Sequence, residues 1–98
     1  MLGFAMRAGK VVVGTDLVIG TMRAGGKGKA RLVLISDGAS ESTKKKIGFK
    51  AEFYKVNTIE IPLSPEQLGL TLGKQSAPVC CAITDDNFAV EITKALAE

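Results

Sequence analysis

Gly9-Lys10-Val11-Val12-Val13-Gly14-Thr15-Asp16 and, further on, Ala30-Arg31-Leu32-Val33-Leu34-Ile35-Ser36-Asp37-Gly38-Ala39-Ser40 are the stretches that decide the fold. Each holds a short apolar run bracketed by glycine and small polar residues. The triplet at 11–13 reads as a strand. The longer run at 32–35 has no polar alternation, as expected for a strand covered on both faces. Between them, residues 15–24 predict a helix closed by Gly25-Gly26, with Leu17, Val18 and Met22 directed inward.

The same alternation continues on both sides. Leu2, Phe4, Ala5 and Met6 predict a helix that ends at a Gly9 cap. It opens at the first residue without a cap, which leaves room for a natural start a few residues earlier. Ser40 can cap a third helix with Glu41 in its first turn, running to about Tyr54 with Gly48 weakening its middle. Residues 56–61 give a mixed strand signal. Ser64-Pro65-Glu66-Gln67 is the clearest local signal in the chain: an N-cap, a proline at the first helical position and a capping-box glutamine. That helix stops by Gly73. A loop leads into a last buried strand at 79–83, and Thr84-Asp85-Asp86 starts a final helix with Phe88, Ile92 and Leu96 at helical spacing. The order α-β-α-β-α-β-α-β-α predicts an α/β fold, a three-layer α/β/α sandwich around a four-stranded mixed sheet.

Ninety-eight residues make one domain, and 46% hydrophobic against 23% charged is a globular balance. A formal net charge of +3 is too small to identify a polyanion binder by itself. Its placement says more. Lysines, glycines and helix starts gather at element ends, as a surface for a polyanion requires. Cys80 and Cys81 are adjacent on a strand and point to opposite faces, so they read as a buried, reduced pair and suggest a reducing compartment such as a bacterial cytoplasm. Residues 1–8 are too short for a signal peptide, and no stretch approaches a membrane span.

Catalysis finds little support, and no cofactor or metal is expected. Histidine, the usual general base and commonest metal ligand, is absent. The acidic residues are scattered. Asp85-Asp86 reads as helix capping and Asp37 as a turn residue. Gly26-Lys27-Gly28 lacks the third glycine of the dinucleotide fingerprint, and the P-loop spacing is missing too. Lys44-Lys45-Lys46 span most of a helical turn and cannot all face one ligand. Phe4, Phe49, Phe53, Tyr54 and Phe88 fall mostly at core-like spacings, which argues against a stacking platform for single strands. Any nucleic acid bound is expected to be a folded RNA recognised by shape and backbone.

Over almost its whole length the chain resembles the ribosomal protein superfamily of kink-turn RNA binders, L7Ae and L30e among them, and within it the bacterial YlxQ-type branch. The resemblance rests on residues 2–10, on Val13-Gly14-Thr15, on residues 30–40, on Thr43-Lys44-Lys45-Lys46, on Leu68-Gly69-Leu70-Thr71-Leu72-Gly73 and on the strand at 79–83. It implies a single ribosomal-protein-like RNA-binding domain over 1–98, with no catalytic activity. The start of the second helix, Gly14-Thr15-Asp16, would enter a kinked stem. The loop Gly73-Lys74-Gln75-Ser76-Ala77-Pro78 would cover a base turned out of the stack. The partner would be a structured RNA such as rRNA or a kink-turn element, and the placement of charge, apart from the resemblance, makes Lys10, Lys27 and Lys44 candidates for further backbone contacts.

Members of that superfamily carry Gly-x-Asn-Glu-x-x-Lys at the docking helix. Here the frame reads Gly14-Thr15-Asp16-Leu17-Val18-Ile19-Gly20 and keeps only the glycine. Asp16 lacks the amide donor, Leu17 cannot accept from a guanine edge, and Gly20 cannot reach a phosphate. A second reading follows from this: a protein-interaction module that keeps the fold with weakened RNA contacts, its partner a ribosomal or RNA-processing protein.

Overall fold

The computed structural model describes residues 2–24, 28–74 and 76–97. Among the described residues the helices and strands follow in the expected order: α1 (Leu2–Arg7), β1 (Val11–Val13), α2 (Thr15–Arg23), β2 (Leu32–Ser36), α3 (Glu41–Tyr54), β3 (Asn57–Ile61), α4 (Pro65–Leu72), β4 (Cys80–Ile83) and α5 (Asp86–Ala97). The strands form one mixed sheet in the order β1-β4-β2-β3. β2 and β3 are parallel, while β4 runs against both β1 and β2. β1, β2 and β3 therefore share one direction, and β4 opposes them from a central position.

Burial explains why the two central strands lack alternation. All five residues of β2 and all four of β4 are buried, because helices cover both faces of the sheet. On one face Val33, Ile35, Cys80 and Ala82 pack against Val18, Ile19 and Met22 of α2 and Ile47 and Ala51 of α3. On the other, Leu32, Leu34, Cys81 and Ile83 meet Leu68 and Leu72 of α4 and Ile92 of α5, with Leu2 and Met6 of α1 alongside. The edge strand β3 exposes Asn57, Thr58 and Glu60, which discourages pairing with another chain.

The helix ends follow their sequence signals closely. The Ser40 hydroxyl accepts the Thr43 amide at 3.2 Å. Ser64 and Gln67 exchange both bonds of a capping box, at 3.1 and 2.9 Å. Asp85 accepts the Phe88 amide at 3.1 Å. Gly9 and Gly73 adopt left-handed conformations at the ends of α1 and α4. Lys55 closes α3 in the left-handed region at φ 58°, an unmarked role for a side chain with a Cβ. The Val56 amide then returns to the Ala51 carbonyl, so β3 starts one residue later than the sequence suggests.

Three inward assignments need correcting. Leu17 is 64% exposed; the inward stripe of α2 is Val18, Ile19 and Met22, the i, i+1, i+4 set that the helical period allows. Phe4, Phe49 and Phe53 stand in solvent rather than in the core. Leu96 of α5 is exposed as well, while Ala89 and Ile92 of that helix are buried.

Both cysteines are free and buried. Burial pushes the Cys81 thiol up to about 12, and the neighbouring Cys80 adds to this. Burial also raises Cys80, opposed by the hydrogen bond its thiol makes to the Thr15 hydroxyl at 3.7 Å. An unfolded Cys81 gives up its proton first as pH rises, so the folded state is favoured fully below the ordinary value of 9.0 and progressively less between there and about 12. Urea unfolding should show stability falling above that lower bound, by up to about 1.4 kcal/mol per pH unit for this thiol. Cys81→Ala should flatten the slope by one proton, and an unchanged slope would contradict the assignment.

Candidate nucleic-acid interface

Because β1, β2 and β3 share a direction, the helices that follow them all begin at one end of the sheet. The antiparallel β4 brings the loop before it to the same end. Backbone hydrogen bonds tie the four segments together. The Gly14 amide donates to the Cys80 carbonyl at 3.2 Å, the Ser36 amide to the Val79 carbonyl at 2.7 Å, and the Asp37 amide to the Ile61 carbonyl at 3.0 Å. Ser36, fully buried, donates its hydroxyl to the Leu63 carbonyl at 2.6 Å and accepts the Gly38 amide at 3.0 Å. This is the crevice at the carboxyl ends of the parallel strands, where open α/β sheets commonly bind ligands.

Three helix starts converge there, and they are not equivalent. α3 is capped by Ser40 and α4 by the Ser64–Gln67 box. α2 has no side-chain cap; its N-cap residue is Gly14, at φ 106° and ψ 144°. The first helical bond of α2 runs from the Val18 amide to the Gly14 carbonyl at 2.9 Å. The amides of Thr15, Asp16 and Leu17 thus precede the intrahelical ladder and sit at the positive end of the helix dipole. Gly14 lies in a region that residues with a Cβ rarely adopt, which fixes its identity here. Thr15 is half-buried against Cys80, while Asp16 and Leu17 are exposed.

The loop at 73–78 is set by α4. Gly73 ends that helix at φ 70°, and the Lys74 amide returns to the Gly69 carbonyl at 2.8 Å. Gly69 is the reason the loop can fold back. A Cβ there would collide with the Ser76 carbonyl oxygen and stand 3.2 Å from Pro78 Cδ. Lys74, Ser76 and Ala77 are exposed and Pro78 half-buried, and beyond them Val79 and Cys80 reach the α2 start.

The structure thus ties Gly14 and Thr15, with Asp16 next along α2, to Cys80, which follows the loop that carries Gly73, Lys74, Ser76, Ala77 and Pro78. It separates two others. Lys10 precedes β1 and sits at the opposite end of the sheet, its carbonyl accepting the Thr84 amide at 2.9 Å. Lys44 is engaged by Glu60 at 2.7 Å and Glu41 at 3.7 Å. The hydrogen bond to Glu60 holds its ammonium above the ordinary lysine value. Lys27 and Gln75 lie outside the described residues. Among the described residues no group of three acidic or cysteine side chains is placed to hold a metal. No described helix is long and apolar enough to cross a membrane.

The family model for the Ribosomal protein L7Ae/L30e/S12e/Gadd45 family matches residues 1–93. The chain belongs to that family. Among its relatives is the RNA-binding protein YlxQ of Bacillus subtilis (strain 168), 42% identical over 96 residues that span 98% of this chain and 91% of that one. The RNA-binding protein YlxQ of Enterococcus faecium is 37% identical over 98 residues, covering 100% and 88%. A solved structure of a protein with unknown function from Bacillus halodurans C superposes with a TM-score of 0.88 at 27% identity, over 99% of this chain and 93% of that one. The Giardia lamblia 15.5kD RNA binding protein superposes at 0.77 with 17% identity, over 95% and 76%, a likeness of fold.

Within the family's fold, two features of this end escape a reading of the sequence. The Lys44–Glu60 pair joins α3 to β3 and leaves no local pattern. Gly69 did leave one, a glycine inside a helix, which often marks close backbone approach.

Gly69→Ala is expected to force the loop off α4. Overpacking of this kind costs about 1–3 kcal/mol, set against a helix-propensity gain of up to about 1 kcal/mol. Thermal unfolding should show a net loss, and amide shifts should change at Ser76 and Ala77 while the β2 and β3 amides hold. An unchanged melt and spectrum would contradict this packing.

Proposed function

We propose that this protein is a non-catalytic RNA-binding protein of the kink-turn-binding ribosomal protein type, acting in the cytoplasm on a structured RNA such as rRNA. The observation that carries the reading is the uncapped start of α2, alone among three helix starts at one end of the sheet. A phosphate or base-edge oxygen placed there takes the roles that Ser40 and Ser64 fill on the neighbouring helices. The Thr15 hydroxyl supplies a further donor, and Lys74, exposed in the loop, supplies a phosphate partner. Gln75 completes the loop in sequence. Family membership and two relatives named as RNA-binding proteins support the same conclusion.

Lys10, Lys27 and Lys44 are assigned a lesser part, as outlying backbone contacts. Lys44 would have to leave Glu60 to serve, and Lys10 would meet RNA only where it wraps beyond the α2 end of the sheet. The competing reading, a protein-interaction module with weakened RNA binding, is favoured by one specific pair. Asp16 places a negative charge, and Leu17 an exposed apolar side chain, at the very helix start that would meet RNA.

Salt dependence separates the two readings. Backbone recognition predicts that log affinity falls linearly with log salt, by about 0.7–0.9 per phosphate contact. Lys74→Ala should reduce that slope by about one contact. Salt-independent binding would favour the protein-partner reading.

Kink-turn specificity is tested by restoring the family frame with Asp16→Asn, Leu17→Glu and Gly20→Lys. The exposure of Leu17 and the open space around Gly20 mean that the triple variant should melt no lower than the parent. Gly20→Lys alone should add up to about 1 kcal/mol of helix stability. Well-placed contacts of this kind are typically worth about 1–3 kcal/mol each, so affinity for a kink-turn over a straight duplex of equal length should rise by about tenfold or more. Unchanged discrimination in a stably folded variant would show that this surface does not dock a kink-turn.

A further inference from the structure

The outer face of α3 carries a second feature. Phe49 and Phe53, one turn apart, are 70% and 77% exposed. Phe53 is held edge-on by Tyr54, ring centroids 4.8 Å apart at 83°, and Tyr54 is half-buried against the core on the α2–α3 side of the sheet. Helical spacing puts Lys45 and Lys46 on the same outward face, since Ile47 and Ala51 define the buried one. Lys46 and Lys50 also line a groove between α2 and α3 with Arg23, Ile19, Gly20 and Asp16. Gly20 keeps it open, for nothing lies within 4 Å of where its Cβ would be. Among the described residues Lys45, Lys46, Lys50 and Arg23 form no ion pair.

Two exposed phenylalanines beside a groove with three cations and one acid match one chemistry, a flexible polyanion with flat apolar rings. We infer that this face binds a single-stranded segment of RNA, its phosphates in the α2–α3 groove over Lys46, Lys50 and Arg23 and its bases stacked on Phe49 and Phe53. Both helices start at the RNA-docking end, and Asp16 belongs to that start and to the groove alike. A strand leaving the docked stem therefore enters the groove directly. Stacking on aromatic rings tolerates any base, so this face adds affinity for an unpaired flank without reading its sequence. The choice of RNA over other polyanions rests on the function proposed above.

The chain contains no tryptophan. Phe53→Trp therefore installs a single tryptophan, excited apart from Tyr54, at an exposed position. A ten-nucleotide oligoadenylate should quench it, inorganic polyphosphate of equal charge should not, and Lys46→Ala with Lys50→Ala should weaken the oligoadenylate effect by about tenfold. In parallel, a folded RNA with an unpaired tail should bind the native protein more tightly than the same RNA without one. Phe49→Ser with Phe53→Ser should abolish that gain and leave the tail-free affinity unchanged. If folded RNA binds and neither quenching nor a tail effect is seen, this inference falls and the proposed function stands. If neither folded RNA nor oligoadenylate binds, both fall. A blue shift with phosphatidylglycerol vesicles and no quenching by oligoadenylate would assign the face to a lipid surface instead and overturn the inference.

Discussion

The antiparallel insertion of β4 between β1 and β2 is the constraint on which the rest of this structure depends. The other three strands run one way and are each followed by a helix. A fourth parallel strand would have sent its preceding loop to the opposite end of the sheet. By opposing its neighbours, β4 delivers the end of the loop before it to the starts of α2 and α3, where the Cys80 and Val79 carbonyls accept the Gly14 and Ser36 amides. β4 lies at the sheet centre and is buried on both faces, so the loop is anchored in the best-packed part of the molecule.

Around that anchor, charge is distributed unevenly. Lys44 is neutralised locally by Glu60 and Glu41, which binds α3 to the edge strand. Solvent screening makes such a partly exposed pair a modest contributor to stability, and its main effect is to remove one cation from the surface. Lys45, Lys46, Lys50 and Arg23 keep theirs available along α2 and α3. Asp16 is opposed to this pattern. As an acid in the first turn it favours the α2 dipole, and it competes with any anion for the same amides. The two roles of Asp16 pull in opposite directions, helix stability against polyanion affinity, and neutral asparagine would relieve the second at some cost to the first.

The fold was almost wholly legible in the sequence because its signals are local. The Ser64–Gln67 box, the Ser40 cap, Gly9 and Gly73 each declare a helix end through bonds made within four residues. The apolar runs of β2 and β4 declare central strands through burial on both faces. What stayed hidden depends on contacts remote in the chain. Lys55 adopts a left-handed cap because β3 must start at once, and no neighbouring residue announces it. The Lys44–Glu60 pair needs the α3–β3 turn to close first. Lys10 looked adjacent to the α2 start in sequence, yet β1 lies between them and sets them at opposite ends of the sheet. Leu17 and the two phenylalanines of α3 were legible in principle, since a strict helical wheel turns them outward. Hydrophobicity by itself pointed the other way, and exposed apolar residues are common enough that type is a poor guide to burial.

The central claim is that the amides at the uncapped start of α2, with the loop before β4, form the surface that meets RNA. Amide chemical-shift mapping with an isotope-labelled protein and a folded RNA tests it most directly. The account predicts the largest shifts at Thr15, Asp16, Leu17, Lys74, Ser76 and Ala77. The Gln67 and Leu68 amides of α4, already bonded to Ser64, should move little. Shifts concentrated on α1 and α5, on the opposite face of the sheet, would contradict it.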